Sequence, residues 1–157
     1  MTLHRRHFLS GSTSLISLAI LPGQTFAQDL ETIEVFKTAT CGCCQDWIAH
    51  LQNSGFTVAA QDLEYDALAD LKQTSGVPNA LVSCHTGRIA GYVIEGHVPA
   101  ADIRRLLAER PDAIGLSVPG MPFGSPGMGP EDQREAYDVI LIGRDGATTV
   151  FASYPAA

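Results

Sequence analysis

The stretch VFKTATCGCCQDWIAHLQNSGF, Val35 to Phe56, carries the reading of the fold. It overlaps a β-branched and aromatic run, TIEVFKT from Thr32 to Thr38, which suits a buried strand. It continues into CCQDWIAHLQNSG, where Trp47, Ile48 and Leu51 fall at helical spacing and Gly55 stands where a helix stops. Between strand and helix lie Cys41, Cys43 and Cys44, three of the four cysteines of the chain. A thiol at a helix N-terminus meets unpaired backbone N–H groups and the positive end of the helix dipole, and both stabilise a thiolate.

Further along, FTVAAQDL reads as a second strand and EYDALADLKQTSG as a second helix, with Leu68 and Leu71 inward and Gly76 as its stop. The short loops of this β-α-β-α order imply a parallel strand pair with a right-handed crossover. NALVSCHT reads either as a strand or as a turn or short helix ahead of the strand GRIAGYVIEG. VPAADIRRLLAERP is a helix, with Pro99 near its first turn, Ile103, Leu106 and Leu107 inward and Pro111 ending it. DAIGLSVPGMPFGSPGMGPED has no period and is expected to form one long irregular loop, a length usually kept for function or left disordered. YDVILIG and ATTVFASY, around Arg144-Asp145-Gly146, read as a closing hairpin. The expected class is α/β: a thioredoxin-like β-α-β-α-β-β-α core with an added C-terminal β-hairpin. In that fold a C-x-x-C motif sits between the first strand and the first helix, where Cys41-Gly42-Cys43-Cys44 stands here.

The chain has 157 residues, 45% of them hydrophobic, which is enough for one domain with a real core. Its formal charge of −7 provides no basic field for phosphates, so no nucleic-acid partner is expected. Residues 1–27 read as a signal peptide: a basic start, an apolar middle and a small-residue end. Arg5, Arg6, Phe8 and Leu9 match the twin-arginine pattern R-R-x-F-L, and Thr25 and Ala27 suit cleavage after Ala27. The expected product is a single periplasmic domain, residues 28–157, exported by the twin-arginine route. Cleavage removes two basic residues and no acid, taking the charge from −7 to −9. No second long apolar run follows, so no membrane span is expected after cleavage.

Cys44 lies three residues after Cys41 and can close back on it, whereas Cys43 has no place in a simple dithiol site. Three thiolates at one helix start are soft donors that favour Cu(I) or Zn(II), and shared sulfurs permit several Cu(I) ions to be bridged. Three other uses stand beside this one: a structural disulfide set, a thiol–disulfide oxidoreductase and a structural zinc site. Cys84 bears on the choice. On a strand after the Val77-Pro78 loop it would lie roughly 20 Å away from the motif. In a turn before GRIAGYVIEG it would face the motif and complete a cluster of four sulfurs, and that placement is the favoured one.

With those residues in view, the chain resembles the periplasmic copper-resistance proteins of the CopG family. The likeness rests on VFKTATCGCCQDWIAHLQNSGF, GVPNALVSCHT, GYVIEGHVPAADIRRLL, GLSVPGMPFGSPGM and the two C-terminal strands, in order over nearly the whole mature chain. The resemblance implies a thioredoxin-like protein that binds Cu(I), as a multinuclear cluster, through Cys41, Cys43, Cys44 and Cys84. It implies copper handling and resistance in the periplasm, with copper or redox partner proteins there. By analogy with C-x-x-C geometry, the metal-free form is expected to hold a Cys41–Cys44 disulfide. The alternative function is a thiol–disulfide oxidoreductase serving a copper or cytochrome pathway. Further candidate ligands are His85 and His97, each with a hydrogen-bonding role as the alternative, and Met121 and Met128, whose loop can fold over the cluster or simply pack. His50 reads as a hydrogen-bonding residue and Trp47 as core.

Overall fold

The computed structural model describes residues 32–157. The expected signal peptide and its cleavage site lie outside the described residues. The chain forms a mixed α/β fold: one seven-stranded sheet in the order β2-β1-β3-β4-β5-β6-β7, with three α-helices. The strands are β1 Thr32–Lys37, β2 Thr57–Asp62, β3 Thr86–Ile89, β4 Tyr92–Glu95, β5 Ala113–Ser117, β6 Tyr137–Gly143 and β7 Thr148–Tyr154. The helices are α1 Gly42–Asn53, α2 Tyr65–Thr74 and α3 Ala100–Glu109. Among the described residues, no helix is long and apolar enough to cross a membrane.

β1 and β2 pair in parallel across α1, and β4 and β5 pair in parallel across α3. The remaining neighbours, β1 with β3, β3 with β4, β5 with β6 and β6 with β7, are antiparallel. The core forms where α1 and α3 bury Trp47, Leu51, Ile103 and Leu106 with Ile33 and Val35 of β1 and Ile94 of β4. Each such side chain contributes about 1.5–3 kcal/mol on burial.

Three expectations need correction. GRIAGYVIEG is not one strand: it folds back as β3 and β4 through a two-residue turn at Ala90 and Gly91, with φ of 49° and 83°. Positive φ at both central residues is the turn that matches strand twist. The start of the Gly/Pro-rich stretch is not loop, because Ala113–Ser117 forms β5 in the middle of the sheet. The irregular segment begins only at Val118. Finally, the inward face of α2 is Leu68 and Lys72, while Leu71 is half-buried. The reason is that Lys72 pairs with the fully buried carboxylate of Glu95.

Candidate metal centre

Cys41 is the N-cap of α1 and Cys44 lies in the helix's first turn; a disulfide joins them. Cys43 and Cys84 carry free thiols. NALVSCHT is a short 3₁₀ turn, Asn79–Leu81, followed by an extended loop that leads into β3. This turn places Cys84 against α1, because β3 runs antiparallel to β1 and so begins at the end of the sheet where β1 hands over to α1. Cys84 Sγ is 3.8 Å from Cys43 Sγ and 3.7 Å from Cys44 Sγ, and Cys43 Sγ is 3.6 Å from Cys41 Sγ. All four sulfurs lie within 4.8 Å of one another, a group able to hold a metal ion.

Two imidazoles complete the surroundings of Cys84. His85 Nδ1 is 3.2 Å and His97 Nε2 is 3.1 Å from Cys84 Sγ, and both rings are fully buried. Burial lowers the pKa of each; for His85 the neighbouring His97 and the Lys72 ammonium lower it further. Both rings are therefore neutral at neutral pH and offer nitrogen lone pairs. The Pro126 carbonyl, 2.8 Å from His97 Nδ1, can only accept, so Nδ1 carries the proton and the bare Nε2 faces the sulfur. That is the arrangement by which a second partner orients a metal-binding histidine. Among the described residues, His85 Nε2 is buried without a hydrogen-bond partner, a cost that Nδ1 offsets only through the sulfur. The His85 ring lies 4.2 Å, centroid to centroid, from Trp47, whose indole N–H donates to the Val98 carbonyl.

Burial, with Cys43 close by, pushes the Cys84 thiol up to about 12. In the metal-free state this sulfur is protonated, so any metal ion bound there would have to displace the proton. Access exists: a cavity of about 230 Å³ is lined by Cys41, Cys84, Lys72, Tyr65, Leu68 and Val82 among others.

The Gly/Pro-rich segment packs over the same place. A Cβ on Gly127, where φ is +84°, would come 2.6 Å from Trp47 N and 2.9 Å from Cys43 O, so only glycine lets the chain lie on the first turns of α1. Met121, on this segment, is 54% exposed, and Met128 is half-buried. His50 stays outside the cluster, its Nε2 accepting the Ala100 N–H at the start of α3.

Sequence reasoning missed three residues that build the site. Glu95 is fully buried and accepts the Ser83 N–H at 2.7 Å. Lys72 pairs with Glu95 at 2.7 Å and donates to Thr86 at 2.9 Å. Gly96 gives its N–H to the His85 carbonyl at 3.0 Å. The available signals were an acid closing the apolar run YVIE and a lysine one turn after the inward Leu68.

A family model described as a protein of unknown function, DUF411, matches residues 81–128. No curated protein matches the chain. Two solved structures do. One, "Copper resistance protein copG- Form 2", is 50% identical, with a TM-score of 0.74 over 80% of this chain and 98% of that one. The other, Form 1 of the same protein, is also 50% identical, with a TM-score of 0.73 over 79% and 97%.

Proposed function

From its membership of the copper resistance protein CopG family, we propose that this chain binds Cu(I) through the thiolates of Cys41, Cys43, Cys44 and Cys84. The observation that carries the proposal is the gathering of four sulfurs within 4.8 Å from two segments forty residues apart. Soft thiolates suit Cu(I), and their mutual closeness suits a multinuclear cluster with bridging sulfurs. His85 and His97, whose nitrogens lie 3.2 and 3.1 Å from Cys84 Sγ, are the candidate nitrogen ligands on the Cys84 side; Met121 and Met128 stand as candidate thioether ligands beside the alternative that they only pack in the covering segment. The strand order β2-β1-β3-β4, with a C-x-x-C at the start of α1, supports a thioredoxin-like topology for this part of the sheet. The twin-arginine pattern supports work in the periplasm, with copper or redox proteins as partners. Changing Arg5 and Arg6 to lysine is expected to abolish periplasmic yield; unchanged yield contradicts export by that route.

The site is redox-capable, because the Cys41–Cys44 disulfide withholds two of the four thiolates until it is reduced. Reduced protein is expected to bind more than one Cu(I) per chain, and oxidised protein to lose that binding and regain it on reduction. Equal binding by both forms contradicts the thiolate site. The same disulfide favours one second reading, a thiol–disulfide oxidoreductase of a copper or cytochrome pathway. Fast dithiol turnover without tight copper binding would establish that reading instead.

A further inference from the structure

We infer that Glu95 and Lys72 are positioning residues whose buried pairing fixes Cys84 among the sulfurs of α1. Cys84 sits between two anchored peptides. On its N-terminal side, the Ser83 N–H donates to Glu95 Oε1 at 2.7 Å. On its C-terminal side, the His85 carbonyl accepts the Gly96 N–H at 3.0 Å. The two anchors are consecutive residues at the end of β4, and the next residue, His97, touches the Cys84 sulfur itself. Glu95, Gly96 and His97 therefore each hold a different part of Ser83-Cys84-His85.

The clamp needs a carboxylate in the interior, which is unfavourable unless every lone pair finds a donor. Here the donors are present. Glu95 Oε1 receives Lys72 Nζ at 2.7 Å as well as the Ser83 N–H, and Oε2 receives the Thr86 hydroxyl at 2.7 Å. Lys72 Nζ also donates to Thr86 Oγ1 at 2.9 Å, closing a ring of three side chains. Thr86 and Glu95 are direct cross-strand partners, so the ring is fixed to β3 and β4, and Lys72 ties it to α2. A buried ion pair seldom stabilises a fold more than apolar residues of equal size would. What apolar residues cannot supply is an acceptor for the Ser83 N–H. Ser83 is held from the other side too, since its hydroxyl donates to the Gly120 carbonyl. Lys72 lines the same cavity as Cys41 and Cys84, so the pair lies at the place where a ligand reaches the sulfurs.

The role of this clamp in copper binding rests on the proposed copper site; the placement of Cys84 does not. Two double variants separate the clamp from general stability, and both remove both charges, so neither leaves an unpaired ion. Lys72→Met with Glu95→Gln keeps an amide oxygen for the Ser83 N–H. Lys72→Met with Glu95→Leu removes the acceptor. The measurement is the rate of alkylation of Cys84 by iodoacetamide relative to that of Cys43, in metal-free protein with Cys41–Cys44 closed. Global loosening raises both rates together and leaves the ratio unchanged. The ratio is expected to rise about ten-fold in the leucine variant, the worth of one hydrogen bond, and to stay within about two-fold of wild type in the glutamine variant. The same ratio in both variants, whatever their melting temperatures, overturns the inference. Cu(I) titration of the reduced leucine variant then tests the site: a raised ratio with wild-type copper stoichiometry upholds the clamp and contradicts Cys84 as a copper ligand.

Discussion

The two halves of the sulfur cluster are built in opposite ways. The first half, Cys41-Gly42-Cys43-Cys44, is local: one helix start supplies three sulfurs, and among the described residues a Cβ added at Gly42 would meet nothing within 4 Å. The second half is assembled from distant segments. Ser83-Cys84-His85 hangs from Glu95 and Gly96, which are held in turn by Lys72 and Thr86, while His97 is oriented by Pro126. The local half holds its disulfide within one helical turn. The assembled half has one sulfur, held by its neighbours 3.8 Å from Cys43 Sγ and 3.7 Å from Cys44 Sγ.

Glycine substitution breaks this contrast most sharply. At Gly96, φ is +71°, and a Cβ would come 2.5 Å from Ser83 Cβ and 2.6 Å from the Val118 carbonyl oxygen. Gly96→Ala is expected to cost about 2–4 kcal/mol and to displace Cys84, seen as a lowered melting temperature with faster Cys84 alkylation. Gly42→Ala should leave stability unchanged or raise it by up to about 1 kcal/mol, because alanine suits a helix and the space is open. Similar costs at both positions would erase the distinction between the halves.

Acid sharpens the same contrast with a smaller effect. His85 and His97 are neutral in the fold, their pKa values lowered chiefly by burial, whereas in the unfolded chain they protonate near 6.5. The unfolded state therefore binds more protons below that pH. Stability is retained above about 6.5 and falls as pH drops, by up to about 1.4 kcal/mol per histidine for each pH unit. Metal-free protein should melt at lower temperature at pH 5 than at pH 7. His85→Phe should flatten that slope without affecting closure of the Cys41–Cys44 disulfide. An unchanged slope would show that this imidazole is not held neutral.

The local half was legible in the sequence, and so were the elements around it. Strand, helix start and cysteine spacing are adjacent, and the inward positions Trp47, Ile48 and Leu51 follow one period. The turn placement of Cys84 was legible as the better of two alternatives. The clamp was not, because its logic crosses the sheet. Glu95 reads as a strand-end acid and Lys72 as a helix-surface cation until Thr86 and Glu95 are seen in register. β5 was hidden for a related reason: a strand holding Gly115 has weak propensity of its own and is made by its neighbours β4 and β6. The turn in GRIAGYVIEG was concealed by Ala90, a residue that seldom takes a φ of 49°.

In the proposed copper site, two separately built halves act as one. Cu(I) stoichiometry of the reduced protein, measured on Cys84→Ser beside Cys43→Ser with thermal melting of each, tests this most directly. A serine oxygen is a hard, weak donor for Cu(I), so losing either sulfur collapses shared bridges. The two variants are expected to lose copper to the same extent while both remain folded. Wild-type stoichiometry in Cys84→Ser, with only a lowered melting temperature, would contradict the claim and leave Cys41-Gly42-Cys43-Cys44 as the whole site.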